Sequence, residues 1–165
     1  MQTQKAEKSA VNLNDHLYET DFYAWTQQQA NLLRYQQWNQ IDLANLIEEV
    51  ESLGRKERQE LRNRLSVLIG HLLKWEHQSS KRSCSWLATI RIQRRDIIKL
   101  LNESPSLQSS IEVALQEAYE NARDLASGET NLPLSTFPPQ CLYLWEDLIN
   151  LSFYPGEVAN DDFMQ

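Results

Sequence analysis

Long hydrophobic runs are missing from this sequence. No stretch of about 18 apolar residues occurs anywhere in the 165, so no segment reads as a membrane-spanning helix. The opening "MQTQKAEKSAVNLNDH" has no apolar core of the kind a secretory leader carries, and a cytoplasmic location is expected. Cysteine is scarce. Cys84 and Cys141 stand far apart, with no C-x-x-C partner and no metal spacing, so reduced and inert thiols are expected. Phosphate loops, dinucleotide fingerprints, H-E-x-x-H and nucleophile elbows are all absent, and no strand pattern or repeat persists. A Glu-x-x-His pair is missing too, which discounts a helical di-metal site built from Glu48, Glu49, Glu51 and His71. Neither a cofactor nor a metal is expected.

The chain does carry an uneven charge. Between Arg55 and Lys99 there are twelve Lys and Arg against four Asp and Glu, a local +8. The remainder holds four against nineteen, a local −15, for the net charge of −7. A basic face for an anionic partner such as RNA is one reading. Acidic helices packed beside basic ones is the other and is preferred, because acidic segments flank the basic one on both sides.

Helical spacing dominates from about residue 15 to about residue 127. Residues 1–14 read as a flexible polar tail, 15–156 as one helical domain and 157–165 as a C-terminal tail. The first helix places Phe22, Trp25, Leu32 and Leu33 on one side. The second, "DLANLIEEVESLG", places Leu43, Leu46, Ile47, Val50 and Leu53 on one face, with Asp42 as cap and Gly54 as stop. A third runs from about Lys56 to Lys74 or beyond, with Leu61, Leu65, Leu68, Ile69 and Leu72 inward. A fourth repeats the pattern with Trp86, Leu87, Ile90, Ile97, Ile98 and Leu101. The fifth opens at Ser104-Pro105 and is expected to end at Gly128. Four of the five prolines and many aromatics follow, giving an extended segment with a short helix near 140–150. The fold expected is all-α, a bundle of five or six helices with a Pro/aromatic-rich C-terminal segment.

Few residues suggest chemistry. Arg64, His71 and Gln78 recur every seven residues on the shoulder of the third helix's apolar stripe, with Lys74 and Trp75 on either side. A half-buried His71 with Lys74 snorkelling past Trp75 to water accounts for them structurally. Arg94 sits inside the apolar stripe of the fourth helix, where a guanidinium must be paired; Glu49 and Glu51 are the expected partners. Arg91 lies beside it on the shoulder. Arg64 and His71 also match the R-x6-H pattern that resembles the metal-independent ribonucleases of the HEPN superfamily. There the histidine would move a proton and the arginine would stabilise the phosphorane. Leu65 stands where those enzymes commonly carry a polar residue. Cys84 and Ser85, at the mouth of the fourth helix, are candidate nucleophiles, but Cys84 has no acid–base arrangement beyond nearby His77 and His71.

Several blocks resemble one family in order: "LYETDFYAWTQQQANLLR", "DLANLIEEVESLGRKERQEL", "HLLKWEHQ", "SWLATIRIQRRDI", "SPSL" and "FPPQC…FYPG". Together they are similar to domain of unknown function 29, a largely cyanobacterial family, over about residues 15–156. The resemblance implies a compact helical domain that usually stands alone, with no established activity. It draws His71, Lys74, Arg91 and Arg94 together as one constellation between the third and fourth helices; with Trp75, Gln78, Glu49 and Glu51 from the residue spacing above, these make the candidate seam. Leu142 stands where the family often has proline. The expected function is a protein-interaction or regulatory module without catalysis, with a protein partner or a second copy bound. RNA binding or cleavage through Arg64, His71, Lys74 and Arg91 is the alternative. Ile92 and Leu100 fall off their helix's core face and mark an expected exposed patch.

Overall fold

The structure, a computed structural model, describes residues 13–156, with side chains from Leu17 onward. The expected tails at 1–12 and 157–165 lie outside the described residues, while Leu13 and Asn14 already belong to a helix. Six α-helices and no strand occur among the described residues, so the fold is all-α. Contacts gather into two units that divide at Gly54/Arg55.

The first unit holds α1 (Leu13–Thr20), α2 (Phe22–Arg34), a 3-10 turn at Trp38–Gln40 and the start of α3 (Leu43–His77). Asp21 caps α2 by accepting from the Ala24 amide at 3.0 Å. Trp25 is buried, with the Tyr18 ring edge-on at 4.9 Å and Phe22 stacked at 5.6 Å. Its indole Nε1 donates to Asp42, and the Asp42 amide donates to the buried Gln29 side chain at 2.9 Å. Asp42 also accepts from the Asn45 amide, which fits its expected capping role. Of the first inward set, Trp25 and Leu32 are buried, whereas Phe22 and Leu33 are exposed. Two aromatic contacts leave half of Phe22 in solvent.

Gly54 does not stop a helix. α3 runs unbroken for 35 residues, joining the two helices expected on either side of that glycine. The residues after it, "RKERQEL", are strong helix formers, and a single interior glycine costs only about 1 kcal/mol against them.

The second unit holds the rest of α3, then α4 (Cys84–Glu103), α5 (Ile111–Thr130) and the five-residue α6 (Trp145–Ile149). Ser83 caps α4 through the Trp86 amide. Pro105 opens a 3-10 turn over Pro105–Ser110, so α5 itself begins later than the sequence indicates. α5 also passes through Gly128 and ends at Asn131, whose left-handed φ of 58° places its amide on the Ser127 carbonyl. The asparagine, not the glycine, makes the stop.

Leu61, Leu65, Leu68, Ile69 and Leu72 of α3 form the core with Leu87, Ile90 and Ile97 of α4 and Ala114, Ala118 and Ala122 of α5. Small residues on α5 let it approach α3 closely. A Cβ added at Gly70 would meet Leu125 at 2.6 Å and the Ala122 carbonyl at 3.3 Å. Phe137 and Leu148 close the core from the C-terminal segment. Leu100, expected at the surface, is buried in this cluster, whereas Ile92 is exposed as expected.

Candidate functional site

His71 and Lys74 lie in the last turns of α3, at i and i+3, and share a side of the helix, while Gln78 follows just past its end with non-helical dihedrals. Lys74 does not reach water. It is 2 % exposed, with its ammonium on the Glu129 carboxylate of α5 and 4.3 Å from the centre of the Trp86 ring of α4. Trp75 points into the core instead of guiding the lysine outward. Glu129 itself is 49 % exposed, so the pair has one dry end and one wet end. Gln78 donates to the Thr130 carbonyl at 3.3 Å, one residue further along α5. These residues tie the end of α3 to the end of α5.

His71 is half-buried, and its Nδ1 lies 2.9 Å from the Val67 carbonyl, one turn back. Only a protonated nitrogen bonds a carbonyl, so Nε2 is the unprotonated nitrogen in the neutral ring. Burial and then the Lys74 ammonium hold the imidazole pKa below its usual value. The unfolded chain, titrating near about 6.5, therefore takes up the proton first as the pH falls. The neutral ring's contribution is complete above that value and is lost as the pH drops toward the folded pKa. The stability difference between wild type and His71→Gln should thus shrink from about pH 7.5 to about pH 5, read as urea midpoints across that range. A difference that stays constant would mean that His71 titrates alike in both states.

Arg64 does not join this group. Its guanidinium bonds Asp96 at 2.6 Å and Glu60 at 2.7 Å, which neutralises it along the α3–α4 edge. Arg94 is 0 % exposed, and its expected carboxylate partners are not the ones it has. Nε donates to the Leu148 carbonyl at 2.8 Å and Nη2 to the Phe153 carbonyl at 2.6 Å. The Tyr154 ring lies 5.2 Å from its carbon centre. Burial lowers the guanidinium pKa, and Tyr154 opposes that shift. Arg94 is thus a clamp that holds α6 and the following loop against α4. Glu49 accepts instead from the Tyr18 hydroxyl at 2.6 Å, and Glu51 is exposed. Arg91 is exposed and lines a shallow depression with Ala88, Ile92, Arg95 and Leu151.

A second polar group was not singled out in the sequence. The Tyr143 hydroxyl donates to Glu76 at 2.5 Å, and burial with that carboxylate pushes its pKa well above the usual tyrosine range. Tyr119 donates to the Pro138 carbonyl at 2.7 Å. Cys141 beside them is half-buried, which pushes its thiol pKa up, while Cys84 is exposed at the start of α4. No sequence signal joins Glu76 to Tyr143, since 67 residues separate them.

Another feature lies in the first unit. Leu43, Ile47, Val50 and Leu53 are 50–63 % exposed along the start of α3. Their spacing is that of a core-facing stripe, and Leu46 beside them is half-buried. Among the described residues no group of three His, Cys, Asp or Glu is placed to hold a metal ion, and no helix is long and apolar enough to cross a membrane.

Fold and geometry together define an all-α protein in which Arg64, Lys74, Gln78 and Arg94 tie one element to another. The chain belongs to the family described as Domain of unknown function DUF29, whose model matches residues 17–154. No curated protein and no solved structure matches the chain.

Proposed function

We propose that this domain is a protein-binding module of the cytoplasm without catalysis of its own, and that the start of α3 binds a basic amphipathic helix of another protein. One observation carries the reading: the exposed stripe of Leu43, Ile47, Val50 and Leu53. Four large apolar side chains in register on one helix are the anchors by which amphipathic helices recognise one another. Contiguous exposed apolar surface of this kind marks interaction sites. Charge selects the partner. Glu48 and Glu51 are exposed on the same helix, and residues 1–54 hold three Lys and Arg against eight Asp and Glu, a local −5. An incoming helix with lysines or arginines beside its apolar face complements this surface, and an acidic one is repelled.

An RNA-cleaving use of Arg64 and His71 has less support. Arg64 is already committed to Glu60 and Asp96, so its charge is matched before any phosphorane could form.

The test places a photo-reactive amino acid at Val50 in the full chain, expressed in its native host and irradiated. Adducts whose cross-linked peptide maps to a basic amphipathic segment of a second protein are the expected result. Adducts of two copies of the chain would replace the foreign partner by self-association. An absence of adducts, with folded protein present, would contradict the interaction reading.

A further inference from the structure

The basic segment has a counterpart in the second unit that the apolar stripe does not involve. Arg55, Arg58 and Arg62 stand three and four residues apart on α3 and so share one face. With Ser109, Ser110 and Val113 from the turn and helix opposite, they line an open cavity of about 390 Å³. That volume lies within the range of small-molecule sites, roughly 300–1,000 Å³.

The donors in this cavity are not all satisfied. Arg62 is oriented by Glu117, which accepts from Nη1 at 2.7 Å, and by Gln59, which accepts from Nη2. Arg58, exposed at the rim, makes no ion pair or hydrogen bond among the described residues. The Ser110 hydroxyl makes no capping bond to α5. Arg58 and Arg62 line the cavity with one carboxylate, Glu117, with the Ser110 hydroxyl beside them and Val113 as an apolar surface.

Planar guanidinium forks and hydroxyls converging from different directions suit an oxyanion with acceptors on every side. A carboxylate engages one fork through its single edge, whereas a phosphate group presents oxygens to Arg58, Arg62 and Ser110 at once. The space left over accommodates more than the phosphate alone. We propose that this α3–α5 cavity binds a phosphate-bearing molecule through Arg58, Arg62 and Ser110. The source of the phosphate is either a free small molecule of mononucleotide size or the backbone of a single-stranded nucleic acid.

The experiment titrates the full chain with inorganic phosphate, with adenosine monophosphate and with a short oligouridylate, following backbone amide shifts by NMR. Shifts confined to the α3–α5 cavity, saturating below about 1 mM for at least one probe, are the expected result. Arg58→Ala, at an exposed position, should leave the spectrum folded and weaken that probe by at least about tenfold. Arg91→Ala, outside the cavity, should not. Preference for the mononucleotide with shallow salt dependence assigns a small molecule. Preference for the oligouridylate with steep salt dependence assigns a nucleic-acid backbone. Absence of saturable shifts with all three probes overturns the proposal, as does binding that Arg58→Ala leaves unchanged.

Discussion

Replacing Arg94 with alanine should destabilise the protein by about 3–5 kcal/mol, the scale of truncating a large buried side chain and losing its hydrogen bonds. The guanidinium is wholly buried and supplies the hydrogen bonds to the Leu148 and Phe153 carbonyls. Its removal leaves those acceptors without their donor and opens a cavity beneath Tyr154. Because a domain is stable by only about 5–15 kcal/mol, the loss is a large fraction of the total. Urea unfolding measures it, and limited proteolysis locates it: cleavage should appear first in the segment around 148–156, which Arg94 clamps. Arg94→Lys should fall between, since an ammonium cannot present two donors in a fixed fork. An Arg94→Ala protein as stable as wild type would remove the clamp from this account.

The second large effect is expected at Lys74. Lys74→Ala removes a buried four-carbon stem and an ammonium from contact with Trp86 and Glu129, and should cost about 2–4 kcal/mol. Lys74→Met keeps the volume and discards the charge. Replacing a buried ion by an apolar group of similar size is often neutral, so this variant should lie within about 1 kcal/mol of wild type. Glu129→Gln should be worse than Lys74→Met, because it leaves the ammonium buried with the cation–π contact and no carboxylate. Chemical denaturation of the three variants checks the ordering. If Lys74→Met proved as damaging as Lys74→Ala, the charge itself would be required by the fold.

Local signals in the sequence located most of the helices and failed at their joints. The apolar stripes of α3, α4 and α5 are set by side-chain spacing within each segment, which is why Leu61 to Leu72 and Ile90 to Ile97 were legible. Gly54 and Gly128 misled for one reason. Glycine is a stop only where the chain needs a left-handed residue, and both lie within continuous helix. Asn131 supplies that conformation instead.

The polar seam was visible in part. The position of Arg94 within an apolar stripe forces burial, so its need for partners was legible. Its actual partners are carbonyls 54 and 59 residues downstream, supplied by the five-residue α6 and the loop after it, which are too short and irregular to show a periodicity. Lys74 was expected to reach water because the sequence does not show that Glu129 and Trp86 close over it. The stripe at Leu43–Leu53 shows the opposite limit: amphipathic spacing says which residues share a face, and only tertiary structure says whether anything covers it.

The seam around Lys74 and Arg94 holds the fold, and the start of α3 leaves its apolar stripe exposed, the face proposed to meet a partner. The most direct measurement is the urea unfolding free energy of the double variant Ile47→Glu/Val50→Glu against wild type. Substitutions at exposed positions are usually within about 0.5 kcal/mol each, so the expected change is below about 1 kcal/mol. A loss of several kcal/mol would mean that Ile47 and Val50 are buried in the folded chain, and the proposed docking face would not exist.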